Sequence, residues 1–263
     1  MHMHRIGRTV TIFFPVVVSF LFWEPVLAQA PSPIDTVMDT RVEPFSKICS
    51  LEIMRSKILF STTAVSTGFF IAPNIILTAG HNIYSPFYNK VSSIRIIPGR
   101  SCERSPFDTL AIIGKEACAE AISVHPDYGW NDAEYDFGII VIPKNILEKN
   151  TLIRKNQAFV VDTSFSPSAG DTLHVAGFPA DSGYTGSLMI HQAELYDPGQ
   201  KEKKKIAYHF KTYRGNSGSP IWVSAGGKNN VVGIHTFDGA GTFLDAENFR
   251  ILSGWLKQYD MKR

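Results

Sequence analysis

The sequence predicts an all-β fold of two antiparallel, six-stranded β-barrels followed by a C-terminal α-helix. Short runs rich in Ile, Val, Phe and Thr follow one another at close spacing, and clusters of Gly, Pro, Asn and Asp separate them. This pattern is typical of barrels and sandwiches, whereas a parallel sheet needs strands that alternate with longer helical segments. The runs form two groups on either side of residues 144–156, which favours two barrels.

The strand predictions follow the apolar runs in chain order. The first barrel takes the runs at residues 48–54, 68–71, 75–78, 94–97, 111–113 and 137–142. The second barrel takes the runs at residues 158–161, 172–176, 187–191, 206–210, 220–223 and 231–234. The corresponding domains are residues 46–150 for the N-terminal barrel and residues 151–244 for the C-terminal barrel.

The last predicted element, at residues 245–260, has a helical period. Asp245 suits the N-cap and Glu247 the first turn, because their carboxylates can accept hydrogen bonds from free backbone N–H groups. Lys257 suits the C-terminal end of the helix dipole. Apolar side chains recur three or four residues apart, at Phe249, Leu252, Leu256 and Tyr259. We predict a packing helix that carries no chemistry.

The N-terminal residues 1–30 have the pattern of a secretory signal peptide. Arg5 and Arg8 precede an apolar run at residues 10–23, and Ala-Gln-Ala at residues 28–30 matches a cleavage site. The run is shorter than the roughly 20 apolar residues that a membrane-spanning helix needs. We therefore expect a secreted protein, extracellular or periplasmic, that has no membrane contact after the signal is cleaved.

Charge and composition narrow the choice of partner. Residues 31–45 are rich in Pro and Asp and are predicted as an N-terminal arm or short propeptide. The 263-residue chain has a formal net charge of +2, and only the run at residues 201–205 concentrates positive charge. This balance argues against a nucleic-acid partner. No feature predicts oligomerisation, so we expect a monomer.

The chain has three cysteines. Cys102 and Cys118 are close in sequence and could form a disulfide that staples one hairpin loop, since export permits disulfides. Cys49 lies in an apolar run and fits a small buried thiol. No Cys-x-x-Cys or His-x-x-x-His spacing occurs, so we expect no metal site.

Three segments carry residues suited to nucleophilic catalysis. In Gly-Asn-Ser-Gly-Ser-Pro at residues 215–220, small neighbours let the hydroxyl of Ser217 and nearby N–H groups face a substrate carbonyl. Serine needs an adjacent base, and His81, directly after an apolar run, is the candidate. Asp136, at the entry to a predicted buried strand, is the candidate acid that orients the imidazole. Asp132 is the weaker alternative because polar residues follow it.

These segments occur in the order His, Asp, Ser and resemble the chymotrypsin-like serine peptidases. Three motifs narrow the resemblance to the glutamyl endopeptidase (V8-like) branch: Val-Ala-Gly-Phe-Pro-Ala-Asp at residues 175–181, Gly-Ile-His at residues 233–235 and Asp-Thr-Arg at residues 39–41. The resemblance covers residues 39–255 at the level of motifs. No Gly-x-Ser-x-Gly elbow surrounds the serine, unlike in the α/β-hydrolases.

The resemblance implies a trypsin-like double barrel and hydrolysis of peptide bonds without any cofactor. Ser217 would attack the scissile carbonyl, His81 would transfer the proton, and Asp136 would orient and stabilise the imidazole. The backbone N–H groups of Gly215 and Ser217 would form the oxyanion hole. Proteins or peptides are then the expected substrates.

The resemblance also implies an S1 pocket lined by His235 and by Thr212, five residues before the nucleophile. Imidazole and hydroxyl groups can donate hydrogen bonds to a carboxylate, so we expect Glu, with Asp weaker, at P1. A preference for Glu over Gln needs a protonated or suitably oriented imidazole and should depend on pH. In this branch the mature N-terminal amine lies near S1, and Val37 is a weak candidate for that end.

Two alternatives stay open at this point. The same triad could serve a different or very narrow P1 preference. The chain could also be a catalytically silent binding protein on a peptidase fold, since a fold does not guarantee activity. The presence of all three candidate catalytic residues argues against the second alternative.

Overall fold

The computed structural model describes residues 33–56, 61–85, 90–102, 105–129, 132–148, 158–161 and 165–260. The predicted signal segment and the predicted boundary between the barrels at residue 150 lie outside these ranges. Two short 3-10 turns, Phe45–Lys47 and Pro198–Gln200, accompany the strands and helices.

Strands dominate the described part of the chain. They are β1 (Asp35–Thr36), β2 (Ile48–Ser56), β3 (Ser61–Ala72), β4 (Ile75–Thr78), β5 (Val91–Pro98), β6 (Leu110–Ile113), β7 (Ile122–Val124), β8 (Gly138–Val141), β9 (Thr172–Gly177), β10 (Ile190–Leu195), β11 (Lys201–Glu202), β12 (Lys205–Ala207), β13 (Pro220–Ala225), β14 (Lys228–Phe237) and β15 (Ala240–Phe243). The α-helices are α1 (Gly80–Ile83), α2 (Lys115–Ala121), α3 (Lys144–Leu147) and α4 (Ala246–Asp260).

The first sheet has seven strands in the order β6-β5-β2-β3-β4-β8-β7, and each neighbouring pair is antiparallel. Alternate residues of β2, namely Cys49, Leu51 and Ile53, are fully buried in one apolar cluster with Ile94 and Ile96 of β5. Successive side chains of a strand point to opposite faces, and Ile48 on the other face of β2 is also fully buried, in a different apolar cluster.

The second sheet has eight strands in the order β1-β10-β9-β13-β14-β15-β12-β11. Leu173, Val175 and Val223 lie in its own apolar core. Its outer strand comes from the segment predicted as an N-terminal arm, since Asp35 of β1 pairs with His191 of β10. The arm therefore adds a strand to the sheet that follows it by more than a hundred residues.

A third apolar cluster lies between the two sheets. Phe69 and Phe137 from the first sheet pack with Ala176 and Trp222 from the second, and Leu252 of α4 is buried in the same cluster. The all-β class and the predicted C-terminal packing helix are thus confirmed. Because the candidate catalytic residues lie in segments that adjoin both sheets, this shared core holds those segments together.

The strand count differs from the prediction of six per barrel. Strands of two or three residues, such as β7 and β11, are too short to show a hydrophobic period. Residues 158–161, predicted as a strand, form only an isolated bridge between Val160 and Asn230.

The predicted disulfide is not formed, because Cys102 and Cys118 are free thiols. Residues 115–121 form α2 where a hairpin loop was expected, and this helix carries Cys118 into the core of the first sheet. The Cys118 thiol lies 3.6 Å from the carbonyl oxygen of Ile112, whereas Cys102 is exposed. Cys49 is buried as predicted, and burial raises the pKa of its thiol.

Candidate active site

His81 and Asp136 form a hydrogen-bonded pair where β4 ends and the neighbouring strand β8 begins. β4 ends at Thr78 and α1 begins at Gly80, so His81 lies in the first turn of this short helix. The Nδ1 atom of His81 lies 2.6 Å from Asp136 Oδ2, and the His81 backbone N–H donates to Asp136 Oδ1 over 2.8 Å. Both carboxylate oxygens hold one histidine, which leaves Nε2 as the ring nitrogen for proton transfer.

The Asp136 side chain is fully buried, a state that a carboxylate tolerates when it is paired and hydrogen-bonded. Gly80 makes room for it, since a Cβ there would lie 3.1 Å from Asp136 Oδ1. The weaker alternative, Asp132, accepts the backbone N–H of Glu134 over 2.9 Å. The acid that orients His81 in this structure is therefore Asp136.

Two glycines shape the loop that carries Ser217. Gly215 and Gly218 have φ angles of +95° and +90°, in the left-handed region that favours glycine. A Cβ at Gly215 would overlap the carbonyl oxygen of Phe178 and lie 2.9 Å from the nitrogen of Ala180. The tight turn expected from the small residues is thus required by both conformation and space.

Ser217 and His81 lie against the same short segment but are not hydrogen-bonded to each other in this structure. The Ser217 hydroxyl donates to the carbonyl oxygen of Thr236 over 3.4 Å. The His81 ring stacks on Phe237, with the ring centroids 5.9 Å apart. Since Thr236 and Phe237 are adjacent in β14, rotation about the Cα–Cβ bond of Ser217 is the motion that would turn its hydroxyl toward the imidazole.

The carbonyl groups of the loop fix the direction of two N–H groups. Arg214 O accepts the backbone N–H of Ala180 over 2.7 Å, and Asn216 O accepts the N–H and the hydroxyl of Ser219 over 2.9 and 2.6 Å. In a trans peptide the N–H points away from the carbonyl. The N–H groups of Gly215 and Ser217 therefore point away from the residues that donate to these two carbonyl oxygens. Oriented donors of this kind are what an oxyanion hole requires.

Thr67 of β3 and Asn82 of α1 connect this loop to the His81 segment by hydrogen bonds. The carbonyl oxygen of Ser217 accepts the Thr67 N–H over 3.0 Å and the Asn82 side-chain amide over 2.8 Å. The Thr67 hydroxyl also donates to Gly215 O over 2.8 Å. Sequence reasoning gave neither residue a role, although the place of Asn82 directly after His81 was an available signal.

His235 lies behind the nucleophile and is 2% exposed. Its Nδ1 atom is hydrogen-bonded to the Tyr208 hydroxyl, which also donates to the carbonyl oxygen of Ala240 over 2.7 Å. A tyrosine hydroxyl has one proton, so Nδ1 is the donor in its bond to Tyr208, and Nε2 carries a lone pair. Burial, with a smaller contribution from the charge of His81, lowers the pKa of His235 to about 3. The imidazole is therefore neutral near pH 7.

Thr212, the second predicted S1 residue, is half-buried, and its hydroxyl is already bonded. It donates to Asp238 Oδ1 over 2.8 Å. Asp238 directly follows β14, in the turn that leads to β15. Sequence reasoning missed Asp238, because a turn aspartate before a glycine is ordinarily explained by the turn itself.

A His–Asp pair from one antiparallel sheet and a serine loop from a second sheet define the chymotrypsin-like double-barrel class. The chain belongs to the trypsin family, whose profile matches residues 50–244, more than half of the sequence.

Two curated bacterial proteins are similar to this chain. It is 29% identical over 210 residues to a Bacillus subtilis (strain 168) protein named extracellular metalloprotease, and the match covers 75% of this chain and 60% of that protein. It is 26% identical over 210 residues to a glutamyl endopeptidase of Bacillus licheniformis, and the match covers 74% of this chain and 60% of that protein. The chain thus spans about 60% of the length of both relatives.

Solved structures show the same fold. A Glu endopeptidase in complex with MPD superposes with a TM-score of 0.66 at 20% identity, and the match covers 86% of this chain and 96% of that chain. The protease Anisep from Arthrobacter nicotinovorans superposes with a TM-score of 0.61 at 13% identity, and the match covers 81% of this chain and 94% of that chain.

Two further findings concern only the described residues. Among them, no group of three or more His, Cys, Asp and Glu side chains is placed to hold a metal ion. No helix within the same ranges is long and apolar enough to cross a membrane.

Proposed function

We propose that this protein is a secreted serine endopeptidase that cleaves peptide bonds through an acyl-enzyme and prefers Glu, with Asp weaker, at P1. The observation that carries the proposal is the buried His81–Asp136 pair beside the Ser217 loop. Membership of the trypsin family supports the reaction class. The names of the two bacterial relatives, one extracellular and one a glutamyl endopeptidase, support export and the P1 preference.

Acylation begins when Ser217 turns from Thr236 toward His81. The Nε2 atom of His81 takes the hydroxyl proton while the serine oxygen attacks the scissile carbonyl. Negative charge then develops on the carbonyl oxygen and is stabilised by the N–H groups of Gly215 and Ser217. His81 passes its proton to the leaving amine, and the acyl-enzyme remains.

Deacylation repeats these roles with water as the nucleophile. His81 takes a proton from the water, which attacks the acyl carbon, and the same two N–H groups stabilise the second tetrahedral intermediate. The bond between the acyl carbon and the Ser217 oxygen then breaks, His81 returns the proton to Ser217, and the carboxylic acid product leaves. The Asp136 carboxylate favours the imidazolium that forms in both halves of the reaction. Its two hydrogen bonds to His81, at 2.6 and 2.8 Å, also hold the ring in the tautomer with the proton on Nδ1.

The P1 preference depends on His235 and Thr212. A P1 carboxylate beside the imidazole of His235 stabilises the protonated ring, which then donates from Nε2. A P1 Gln brings no charge and has no such effect. The ratio of cleavage after Glu to cleavage after Gln should therefore rise as the pH falls, and effects common to both substrates cancel in this ratio.

Cleavage-site profiling on a denatured protein mixture tests the proposal. The protein is produced from the full chain and compared with its Ser217→Ala variant, and both are checked for folding by circular dichroism. We expect cuts after Glu, with fewer after Asp, that disappear in the variant. Cuts after another residue type would keep the triad and refute the P1 assignment. A folded wild-type protein that makes no cuts would refute the peptidase proposal and favour a binding protein.

A further inference from the structure

Two chain segments form the mouth of the proposed S1 pocket. One is the end of β14, where Thr236 O lies 3.4 Å from the Ser217 hydroxyl and Phe237 stacks on His81. The other is the segment at residues 208–212 that leads to the nucleophile loop. The backbone N–H of Tyr208 donates to Gly239 O over 3.0 Å, so the two segments lie side by side.

Asp238 bridges these two segments at the exposed end of the pocket. Its Oδ1 atom accepts the hydroxyl of Thr212 over 2.8 Å. Burial is the main cause of the raised pKa of Tyr208 and of the lowered pKa of His235, and the negative charge of Asp238 adds to the first shift and offsets part of the second. Asp238 is therefore close to each polar side chain assigned to P1 recognition.

The polar groups of the pocket are consequently committed before a substrate arrives. The Thr212 hydroxyl has a single proton, which it donates in its hydrogen bond to Asp238. The Nδ1–H of His235 is donated to Tyr208, and Nε2 is an acceptor in the neutral ring. A P1 carboxylate needs donors, yet this arrangement presents it with acceptors and one negative charge.

We propose that Asp238 is a specificity-determining residue that competes with the P1 carboxylate for Thr212 and repels it, and thereby restrains cleavage after Glu. The inference rests on the proposed function, since it concerns the S1 pocket of that reaction. A P1 Glu must displace Asp238 from Thr212 and bind beside its charge. A P1 Gln escapes the repulsion, because its amide is neutral and its NH₂ group can donate to acceptors.

The test measures kcat/KM for two peptides that differ only in Glu or Gln at P1. Asp238→Asn keeps the shape and one oxygen acceptor but removes the charge, so we expect the Glu-to-Gln ratio to rise about tenfold at constant pH, mainly through KM. Asp238→Ala also frees the Thr212 hydroxyl and should raise the ratio further. Glu202→Gln, the same loss of charge at an exposed position on β11, should leave the ratio at the wild-type value.

A ratio that stays the same or falls in Asp238→Asn would overturn the inference. Binding of the same two peptides to Ser217→Ala, with and without Asp238→Asn, gives the ratio without turnover. If no protein with Ser217 cleaves either peptide, the proposed reaction fails, while the binding ratio still decides the role of Asp238. If cleavage occurs and Asp238→Asn does not shift either ratio toward Glu, the peptidase stands and the Asp238 inference is wrong.

Discussion

The proposed catalytic centre and the proposed S1 pocket both adjoin β14, because Thr236 and Phe237 contact Ser217 and His81 while His235 faces the pocket. The internal hydrogen bonds of the two regions nevertheless have opposite effects. At the catalytic centre, internal bonds set reactive atoms in place: Asp136 holds Nδ1 of His81, which leaves Nε2 for the proton. In the S1 pocket, internal bonds use up the groups that a substrate needs, since Thr212 is bonded to Asp238 and His235 to Tyr208.

The two regions therefore differ in whether their hydrogen bonds must change when a substrate binds. The proposed catalytic groups should act on any peptide bond that reaches them, because their geometry is set by strand ends and buried contacts. The pocket must exchange internal bonds for substrate bonds, so its selectivity depends on charge and protonation. Changes at the catalytic centre should therefore lower kcat for all substrates. Changes in the pocket should alter the ratio of kcat/KM between substrates that differ at P1.

The largest effect is expected at the buried acid. Asp136→Asn should lower kcat roughly 10⁴-fold, because the amide favours the wrong imidazole tautomer and no longer stabilises the imidazolium. Steady-state kinetics on Glu and Gln substrates should show the same loss for both. Asp132→Asn is the matched control and should stay near the wild-type rate. Equal losses in the two variants would contradict the assignment of the acid.

The oxyanion loop should give the next largest effect. Gly215→Ala places a Cβ against Phe178 O at a φ of +95°, so the loop must shift and the Gly215 N–H is misdirected. We expect kcat to fall about 10²- to 10³-fold with little change in the Glu-to-Gln ratio. Gly227→Ala serves as the control, because Gly227 also has a positive φ but no atom within 4 Å of the added carbon. A changed Glu-to-Gln ratio in Gly215→Ala would contradict the claim that this loop acts on the rate alone and the pocket on selectivity.

The pH dependence of stability should include a contribution from the pocket. Burial also lowers the pKa of His174, to about 4, and the pKa of His191, so the share that belongs to His235 is measured with a variant. The pKa of His235 is about 3 in the folded protein against an ordinary value near 6.5. Below pH 6.5 this histidine binds a proton in the unfolded chain but stays neutral in the folded protein. The free energy of unfolding therefore falls as the pH falls toward 3. For this group the loss is about 2 kcal/mol at pH 5.

Urea denaturation at pH 7.5 and pH 5 measures that loss. His235→Gln should lose about 2 kcal/mol less than the wild type between the two values. Asn145→Gln, at an exposed position in α3, removes no titratable group and should keep the wild-type difference. If His235→Gln lost as much stability between pH 7.5 and pH 5 as the wild type, His235 would not be held neutral in the folded protein.

The smallest effect is expected at the link between the sheets. Asn82→Ala removes the amide that donates to Ser217 O over 2.8 Å, while Thr67 still donates to that oxygen. We expect a loss of about 1–3 kcal/mol in the free energy of unfolding and a modest fall in kcat. Asn145→Ala, at an exposed position in α3, is the control. A loss of activity as large as that of Asp136→Asn would mean that Asn82 belongs to the reacting groups.

The sequence was informative where one residue type is required by local chemistry. Small residues around Ser217 indicate a tight loop, and an apolar run before His81 indicates a strand end, so both positions follow from short-range pattern. The buried strand after Asp136 distinguished it from Asp132 for the same reason. The two-sheet architecture followed from the spacing of apolar runs.

The sequence was uninformative where a contact depends on the packing of distant segments. The bond between Thr212 and Asp238 joins residues 26 positions apart, and nothing in either local motif indicates it. α2 was missed because seven residues give too few turns for a clear period, and the wrong disulfide followed from that omission. Very short edge strands such as β1 were missed because their pairing is set by the neighbouring sheet.

Covalent labelling with a serine-directed fluorophosphonate, read by intact mass and peptide mapping, tests the central claim most directly. The reagent needs an activated serine and an oxyanion hole but makes no demand on S1. The account predicts one equivalent of label on Ser217, none on Ser217→Ala, and a strongly slowed reaction in His81→Ala. Folded wild-type protein that stays unlabelled at Ser217 would contradict it.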